Sequence, residues 1–333
     1  MKDARIHIVI PTFNRAEVFK VVGPQYYGNL PHVERIVVVN DASTDDTEKM
    51  VQEWAERDPR VVLYSAKEHI GLPQGRNVGI EHCEGTHIMF GEDDKIFEPD
   101  ATAVMLEEME RVDADLIACS LFQLDESVKE IGQWEEHQLS HTPHYLDDRY
   151  LYGHYDASVP DTMLATLVDA CFLAKAEVFD NIRYDLSLGF DHFREETDVQ
   201  LTAWEQGFKV AFTPKTRCYH MPRWMRSGGC FAGRPKGSPL RDHLQRFVNN
   251  HKMWNKHHGI LKKLNPRRSR LSAETLFLIH SLAGAGFEHV SRLKADDRKL
   301  LAAALWTALS PAAALEVVTT PPAGYGSKGI EEL

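Results

Sequence analysis

Cysteine is scarce and scattered in this sequence. The five present, Cys83, Cys119, Cys171, Cys218 and Cys230, are odd in number, far apart and never paired as CxxC. That spacing offers neither a disulfide framework nor a zinc ribbon and predicts a reducing, cytoplasmic setting. Basic charge is short as well: 38 Lys and Arg against 49 Asp and Glu leave a formal net charge of -11, which argues against a general grip on a nucleic-acid backbone. Long apolar runs are missing too. The chain enters a strand pattern directly from Met1 with no leader-like region, and its most apolar late stretch, Leu300 to Val318, is broken by Ser310-Pro311 and carries Glu316. No membrane span is therefore expected.

What remains is the composition of an ordinary folded protein. Hydrophobic residues make up 43% and charged residues 26% of 333, enough for one α/β domain with a helical appendage or for two domains. Residues 5–10, 36–39, 61–64, 87–90, 116–119, 167–174 and 209–212 read as strands, the second of them β-branched throughout as buried parallel strands tend to be. Amphipathic segments such as Glu48 to Ala55 lie between them. This alternation predicts βαβ units, right-handed crossovers and a sheet whose carboxyl-end turns share one rim. Asn14 is expected to cap the first helix and Thr44 or Asp45 the second, which runs to about Arg57. A later helix is expected from Val199 to Gln206, stopped by Gly207.

Between Asp125 and Asp161 the periodicity fails, in a polar stretch holding Trp134, Tyr145, Tyr150, Tyr152 and Tyr155. A long irregular insertion of this kind is usually functional or mobile. Nothing regular focuses His137, His141 and His144 on a metal. From Arg223 to Arg241 the chain is rich in glycine, proline and cationic residues, and from Leu240 onward it is helical. The expected organisation is an α/β domain over residues 1–237, in halves 1–120 and 121–237, followed by a helical region over 238–333 that offers a surface for self-association. The basic run from Lys256 to Arg270 reads as a solvated face or as a contact for an anionic membrane surface.

Two acidic clusters carry the chemistry. Ile88, Met89 and Phe90 form a buried strand, and Glu92, Asp93 and Asp94 follow at its carboxyl end. Carboxylates released there can converge on a divalent cation, which in turn suits a phosphorylated substrate; the competing reading is a solvated turn. Glu195-Glu196-Thr197-Asp198 opens a helix, where acids also favour the helix dipole without any catalysis.

In chain order the rim carries Pro11-Thr-Phe-Asn-Arg15, Asn40-Asp-Ala-Ser-Thr-Asp45, Gly71-Leu-Pro-Gln-Gly-Arg-Asn77 and Glu92-Asp93-Asp94. Together these resemble the family 2 glycosyltransferases of the GT-A fold, over roughly residues 5 to 220. The resemblance implies a Rossmann-like, mostly parallel sheet flanked by helices, a nucleoside-diphosphate sugar donor and inversion at the anomeric carbon. It implies nucleotide contacts from Pro11, Thr12 and Asn14, from Asp41 beside Asn40, and from Arg76, whose alternative is a surface ion pair. It implies Mn2+ or Mg2+ held by Asp94 with Glu92, and His220 as a further ligand or a structural residue. The base that activates the acceptor would be Glu196, with Glu195 and Asp198 as alternatives.

Two positions depart from the family's pattern. The second turn has Asn40-Asp41 where two acids are usual, and the acidic motif opens with Glu92 in place of Asp. The expected acceptor is a carbohydrate, a lipid-linked glycan met at the cytoplasmic face of a membrane, or a small molecule. Aromatic rings of the 125–161 stretch would stack on its sugars or anchor their own loop, and the Arg223–Lys236 loop would close over the diphosphate or remain a plain surface loop. A non-catalytic nucleotide-sugar-binding scaffold is the alternative function. A sugar-phosphate nucleotidyltransferase fits less well, because Pro11 to Arg15 lacks the glycines of a phosphate loop.

Overall fold

The structure is a computed structural model that describes residues 3–124, 145–147, 151–188, 193–222, 229, 239–264 and 330–332, with backbone alone at 239–244, 264 and 330–332. The stretches holding Trp134, Tyr150 and His137 to His144, nearly all of the cationic loop at 223–238, and the surface expected for self-association at 265–329 lie outside the described residues.

Strands and helices alternate through the first hundred residues: β1 (Ile6–Thr12), α1 (Ala16–Gln25), β2 (Val33–Asn40), α2 (Thr47–Ala55), β3 (Val61–Ala66), α3 (Leu72–Glu81) and β4 (His87–Phe90). Strands β3, β2, β1 and β4 lie side by side in parallel. Ile8, Val9, Ile10, Val37 and Val38 have no exposed surface, because helices cover both faces. Ile8 and Ile10 pack with Phe19, Val22 and Trp54 on one face, and Val9 packs with Ile80, Ile88 and Phe90 on the other. That double burial explains the unbroken apolar runs of the sequence.

The second half continues the same sheet with mixed direction. Next along the chain come β5 (Lys95–Phe97), α4 (Ala101–Arg111), β6 (Leu116–Gln123), the small hairpin β7 (Leu146–Asp147) and β8 (Tyr152–Gly153), β9 (Met163–Leu164), β10 (Leu173–Lys175), α5 (Glu195–Glu205) and β11 (Val210–His220). Strand β10 runs antiparallel between β4 and β6, β11 lies parallel to β6, and β5 closes the edge antiparallel to β11. At the opposite edge β12 (Ile330–Glu332) pairs antiparallel with β3.

Three local expectations need correction. The strand expected over 167–174 shortens to β10, because α5 serves the preceding backbone: Val168 N donates to Gln200 Oε1 at 2.7 Å and Gln200 Nε2 donates to Val168 O at 2.9 Å. Helix α5 starts at Glu195, four residues before the expected Val199, so the acidic run is its first turn. Asn14 does not cap α1. It adopts φ 52, and its Oδ1 accepts from Thr44 N at 2.7 Å, while Asp45 Oδ2 takes the α1 N–H of Ala16 at 3.2 Å. Asn14 and Asp45 thus stitch the first two rim turns together, and Asp45 also accepts from Thr47 N at 3.0 Å at the start of α2.

Helices α6 (Pro239–Lys256) and α7 (His258–Leu264) are packed on the α/β body where they are described. Phe247, Asn249, Met253 and His257 have no exposed surface, and Met253, Trp254 and Leu261 share a cluster with Leu201 of α5 and Leu151. No helix among the described residues is long and apolar enough to cross a membrane.

The packing of α3 on β1 supplies a sharp test. A Cβ at Gly79 would lie 2.1 Å from Val9 Cγ1. Helix propensity alone favours alanine over glycine by about 0.8–1.0 kcal/mol, whereas overpacking costs about 1–3 kcal/mol. Urea unfolding of Gly79→Ala is expected to show net destabilisation; a stabilised variant would mean that β1 and α3 do not meet this closely.

Candidate active site

The rim turn after β4 is held from below. Tyr27, fully buried, donates its hydroxyl to Glu92 O at 2.9 Å and accepts from Glu92 N at 3.0 Å. Gly91 makes room for it, since a Cβ there would come within 2.8 Å of the same hydroxyl. Strand β11 holds the other end, with Met221 N donating to Asp94 O at 3.0 Å. The turn is therefore anchored at both ends by hydrogen bonds.

Glu92, Asp94 and His220 each present one ligand atom within 4.8 Å of the others. His220 Nε2 is 3.4 Å from Asp94 Oδ1, and Arg15 Nη2 is 3.2 Å from Asp94 Oδ2. Burial opposes the Asp94 charge, but His220, Arg15 and Lys95 outweigh it and hold the carboxyl well below the usual range. Asp93 points elsewhere. Its Oδ2 accepts from Thr12 Oγ1 at 2.8 Å and its Oδ1 lies 3.4 Å from Arg15 Nε, yet burial pushes the carboxyl up to about 7. The two carboxylates are hard oxygen donors that suit Mn2+ or Mg2+, and the imidazole adds a borderline nitrogen donor beside them.

Glu92 is clasped by two buried cations. Arg76 Nη2 is 3.3 Å from its Oε1 and Lys95 Nζ is 2.9 Å from its Oε2, while Lys95 also donates to Asp169 Oδ1 at 2.6 Å. Arg76 has no exposed surface and donates to Glu195 Oε1 at 2.6 Å. Burial disfavours the Arg76 charge, but Glu195, the Tyr184 ring and Glu92 overcome that and raise its pKa. A guanidinium that keeps its proton needs a counter-charge within reach, so Glu195 stands opposite as carboxylate although burial lifts its pKa.

The other acids of α5 have different fates. Asp198, 1% exposed, accepts from Lys256 Nζ at 2.7 Å and lies 2.9 Å from His257 Nε2, and His257 Nδ1 is 3.1 Å from Glu205. Asp198 anchors the α6–α7 junction. Glu196 is half-buried, and among the described residues no other side chain bonds its carboxylate. Burial raises its pKa against the pull of its own backbone N–H, Arg76 and Arg194.

The family model described as "Glycosyl transferase family 2" matches residues 7–182, more than half of the chain. The chain belongs to glycosyl transferase family 2. Among curated relatives, glycosyltransferase GlyA of Streptococcus pneumoniae is 27% identical over 205 residues, which cover 57% of this chain and 27% of that protein. Minor teichoic acid biosynthesis protein GgaB of Bacillus subtilis is 25% identical over 153 residues, covering 45% of this chain and 16% of that protein. The chain thus spans well under half of the length of these relatives. Among solved structures, Staphylococcus aureus TarS 1-349 in complex with UDP-GlcNAc superimposes with a TM-score of 0.58 at 12% identity, over 92% of this chain and 80% of that one. The mannosyltransferase PcManGT from Pyrobaculum calidifontis, in complex with GDP-Man and Mn2+, gives 0.54 at 16% identity, over 92% and 81%. At these identities the likeness shows the fold, which is the expected GT-A α/β architecture.

Within this glycosyl transferase family 2 fold, the expected site residues divide. Glu92, Asp94 and His220 come together, with Glu196 on the neighbouring helix. Thr12 and Asp41 lie on the same rim but are already bonded. Asp41 accepts from Ile70 N at 2.5 Å and Gly71 N at 2.9 Å and lies 2.8 Å from His69 Nδ1, so it fixes the turn into α3, where Gly71 adopts φ 81. Pro11 is buried beneath α3 beside Gly75. Arg76 requires a correction: it does not face an open crevice but bridges two carboxylates inside the protein, because α3 buries its whole side chain.

Of the expected aromatic platform, Tyr145 and Tyr155 pack against the core, and Tyr152 is 45% exposed with Arg194 5.4 Å from its ring. Of the cationic loop, Gly229 alone is described; it adopts φ 78, donates to Phe13 O at 2.8 Å and lies against the Arg15 guanidinium. Arg15, Tyr27, Lys95 and Asp169 were given no role from sequence. An aspartate inside the apolar run Leu167-Val-Asp-Ala-Cys-Phe172 is the one signal that marks Asp169 as buried and paired.

The division of roles in α5 is measurable. Asp198→Ala removes the carboxylate shared by buried His257 and Lys256, leaving His257 with Glu205 and Lys256 with Asp185, and is expected to lower stability by about 1–3 kcal/mol, whereas Glu196→Gln should shift it by no more than about 0.5 kcal/mol. Equal effects in denaturant unfolding would remove the distinction.

Proposed function

We propose that this protein transfers a sugar from a nucleoside-diphosphate sugar to an acceptor hydroxyl with inversion, using Glu196 as base and holding a divalent cation with Asp94, Glu92 and His220. The observation that carries the proposal is the pairing of two sites on one rim. The Glu92, Asp94 and His220 ligand atoms converge after β4 and at the end of β11, and at the start of α5 the one acid that no other side chain engages among the described residues is Glu196. Family membership and neighbours solved with UDP-GlcNAc and with GDP-Man and Mn2+ support the donor class.

When bound, Mn2+ or Mg2+ supplies positive charge to the diphosphate that departs. The chain's own groups do the rest. Tyr27 and Met221 keep the Glu92–Asp94 turn in place from either side. The first two turns, tied by Asn14 to Thr44 and by Asp45 to Ala16, form the nucleoside wall, with Thr12 and Asp41 on it. Glu196 takes the acceptor proton as the acceptor oxygen bonds to the anomeric carbon; the bond from that carbon to the diphosphate oxygen breaks and its electron pair leaves with the diphosphate. Burial makes Glu196 a stronger base than an exposed glutamate. The acceptor class that we favour is a carbohydrate, free or lipid-linked, with a small molecule as the alternative.

Donor turnover with a panel of nucleotide sugars, acceptors and Mn2+ tests the reading. Glu196→Gln is expected to lower kcat by about 10²–10⁴-fold with donor affinity retained, and Asp94→Ala to weaken metal-dependent donor binding; undiminished transfer by both variants would overturn the assignment. The pH profile adds a sign. Only the deprotonated base is active, so kcat must fall as pH drops through the Glu196 pKa, and because that pKa is raised the acid limb should lie above the usual glutamate range near 4.5. A flat profile down to pH 4.5 would remove Glu196 as base.

A further inference from the structure

Arg76 connects the two sites through the interior. Its Nη1 is 2.6 Å from Glu195 Oε1 and its Nη2 is 3.3 Å from Glu92 Oε1. The guanidinium carbon lies 5.2 Å from the Tyr184 ring centre and 6.0 Å from that of Phe90, so aromatic faces rather than water surround it. Glu195 bonds no side chain except Arg76 among the described residues.

We propose that Arg76 is a positioning residue that divides one buried positive charge between Glu92 and Glu195, so that Glu195 governs how much negative charge Glu92 offers to a divalent cation. The inference rests on the reading of Glu92, Asp94 and His220 as a cation site. Its physical basis is the short range and low screening of charges away from water. With Glu195 ionised, the shorter of the two contacts draws the guanidinium toward α5. Without that charge, Glu92 becomes the nearest anion, and the guanidinium competes with a metal for its Oε1. Glu195 and Glu92 are thereby coupled through the guanidinium that both engage, and the acidic turn on the donor side responds to the helix that carries the base.

Mn2+ binding to the full chain without donor, followed by the electron paramagnetic resonance signal of free Mn2+, reads this coupling apart from activity. Glu195→Gln is expected to weaken Mn2+ binding by about 5- to 10-fold, within the usual range of coupling between sites. In an Arg76→Gln background the same Glu195→Gln change should have no effect, because the competing cation is gone. Arg76→Lys, which lacks the fork that reaches both carboxylates, should uncouple them too and provides the background if Arg76→Gln does not melt cooperatively. Unchanged affinity in Glu195→Gln, or an equal loss with and without Arg76, overturns the inference. Asp94→Ala separates the two levels: Mn2+ binding that survives it, or a wild type that binds no Mn2+, overturns the cation site as well, whereas loss in Asp94→Ala with an unmoved Glu195→Gln overturns the coupling alone.

Discussion

A guanidinium without access to water holds the site together. Arg76 is carried by α3, which belongs to the first half of the chain and packs on β1 and β2. Its charge has to be answered inside the protein, because an unpaired buried cation costs several kcal/mol. The answer comes from both halves at once, Glu92 from the turn after β4 and Glu195 from α5. Lys95 repeats the device one step further on, between Glu92 and Asp169. The acidic turn is therefore part of a chain of alternating charges that spans the junction, and its geometry follows from burial rather than from the turn sequence alone.

This constraint explains what the sequence made legible and what it hid. Strands such as Ile36 to Val39 announce themselves because burial on both faces demands unbroken β-branched residues. The order of the rim motifs then fixes the fold class, and the ligand atoms of Glu92, Asp94 and His220 meet although 126 positions separate the last two. Local rules failed where a distant group replaced the local partner. Asn14 reads as a cap by its position before α1, yet its side chain serves the turn of β2 and the cap comes from Asp45. Residues 167–172 read as strand by composition, yet Gln200 of α5 takes the hydrogen bonds that a neighbouring strand would have made. Arg76 reads as a surface or ligand-facing cation, since nothing nearby in sequence says that Glu195 lies 2.6 Å away.

The first turn of α5 shows the same limit most sharply. Glu195, Glu196 and Asp198 are three carboxylates within four positions, equally suited to the helix dipole and equally plausible as a base. What separates them is the packing of other elements on different sides of the helix. Arg76 approaches from α3 and engages Glu195, and Lys256 with His257 approaches from the α6–α7 junction and engages Asp198. Glu196 is half-buried and unclaimed by another side chain among the described residues. The helical region after residue 238 thus has a consequence for the chemistry that its separation in sequence conceals. By occupying Asp198 it leaves Glu196 as the carboxylate of the run that no other described side chain engages, and burial raises the pKa of that carboxyl.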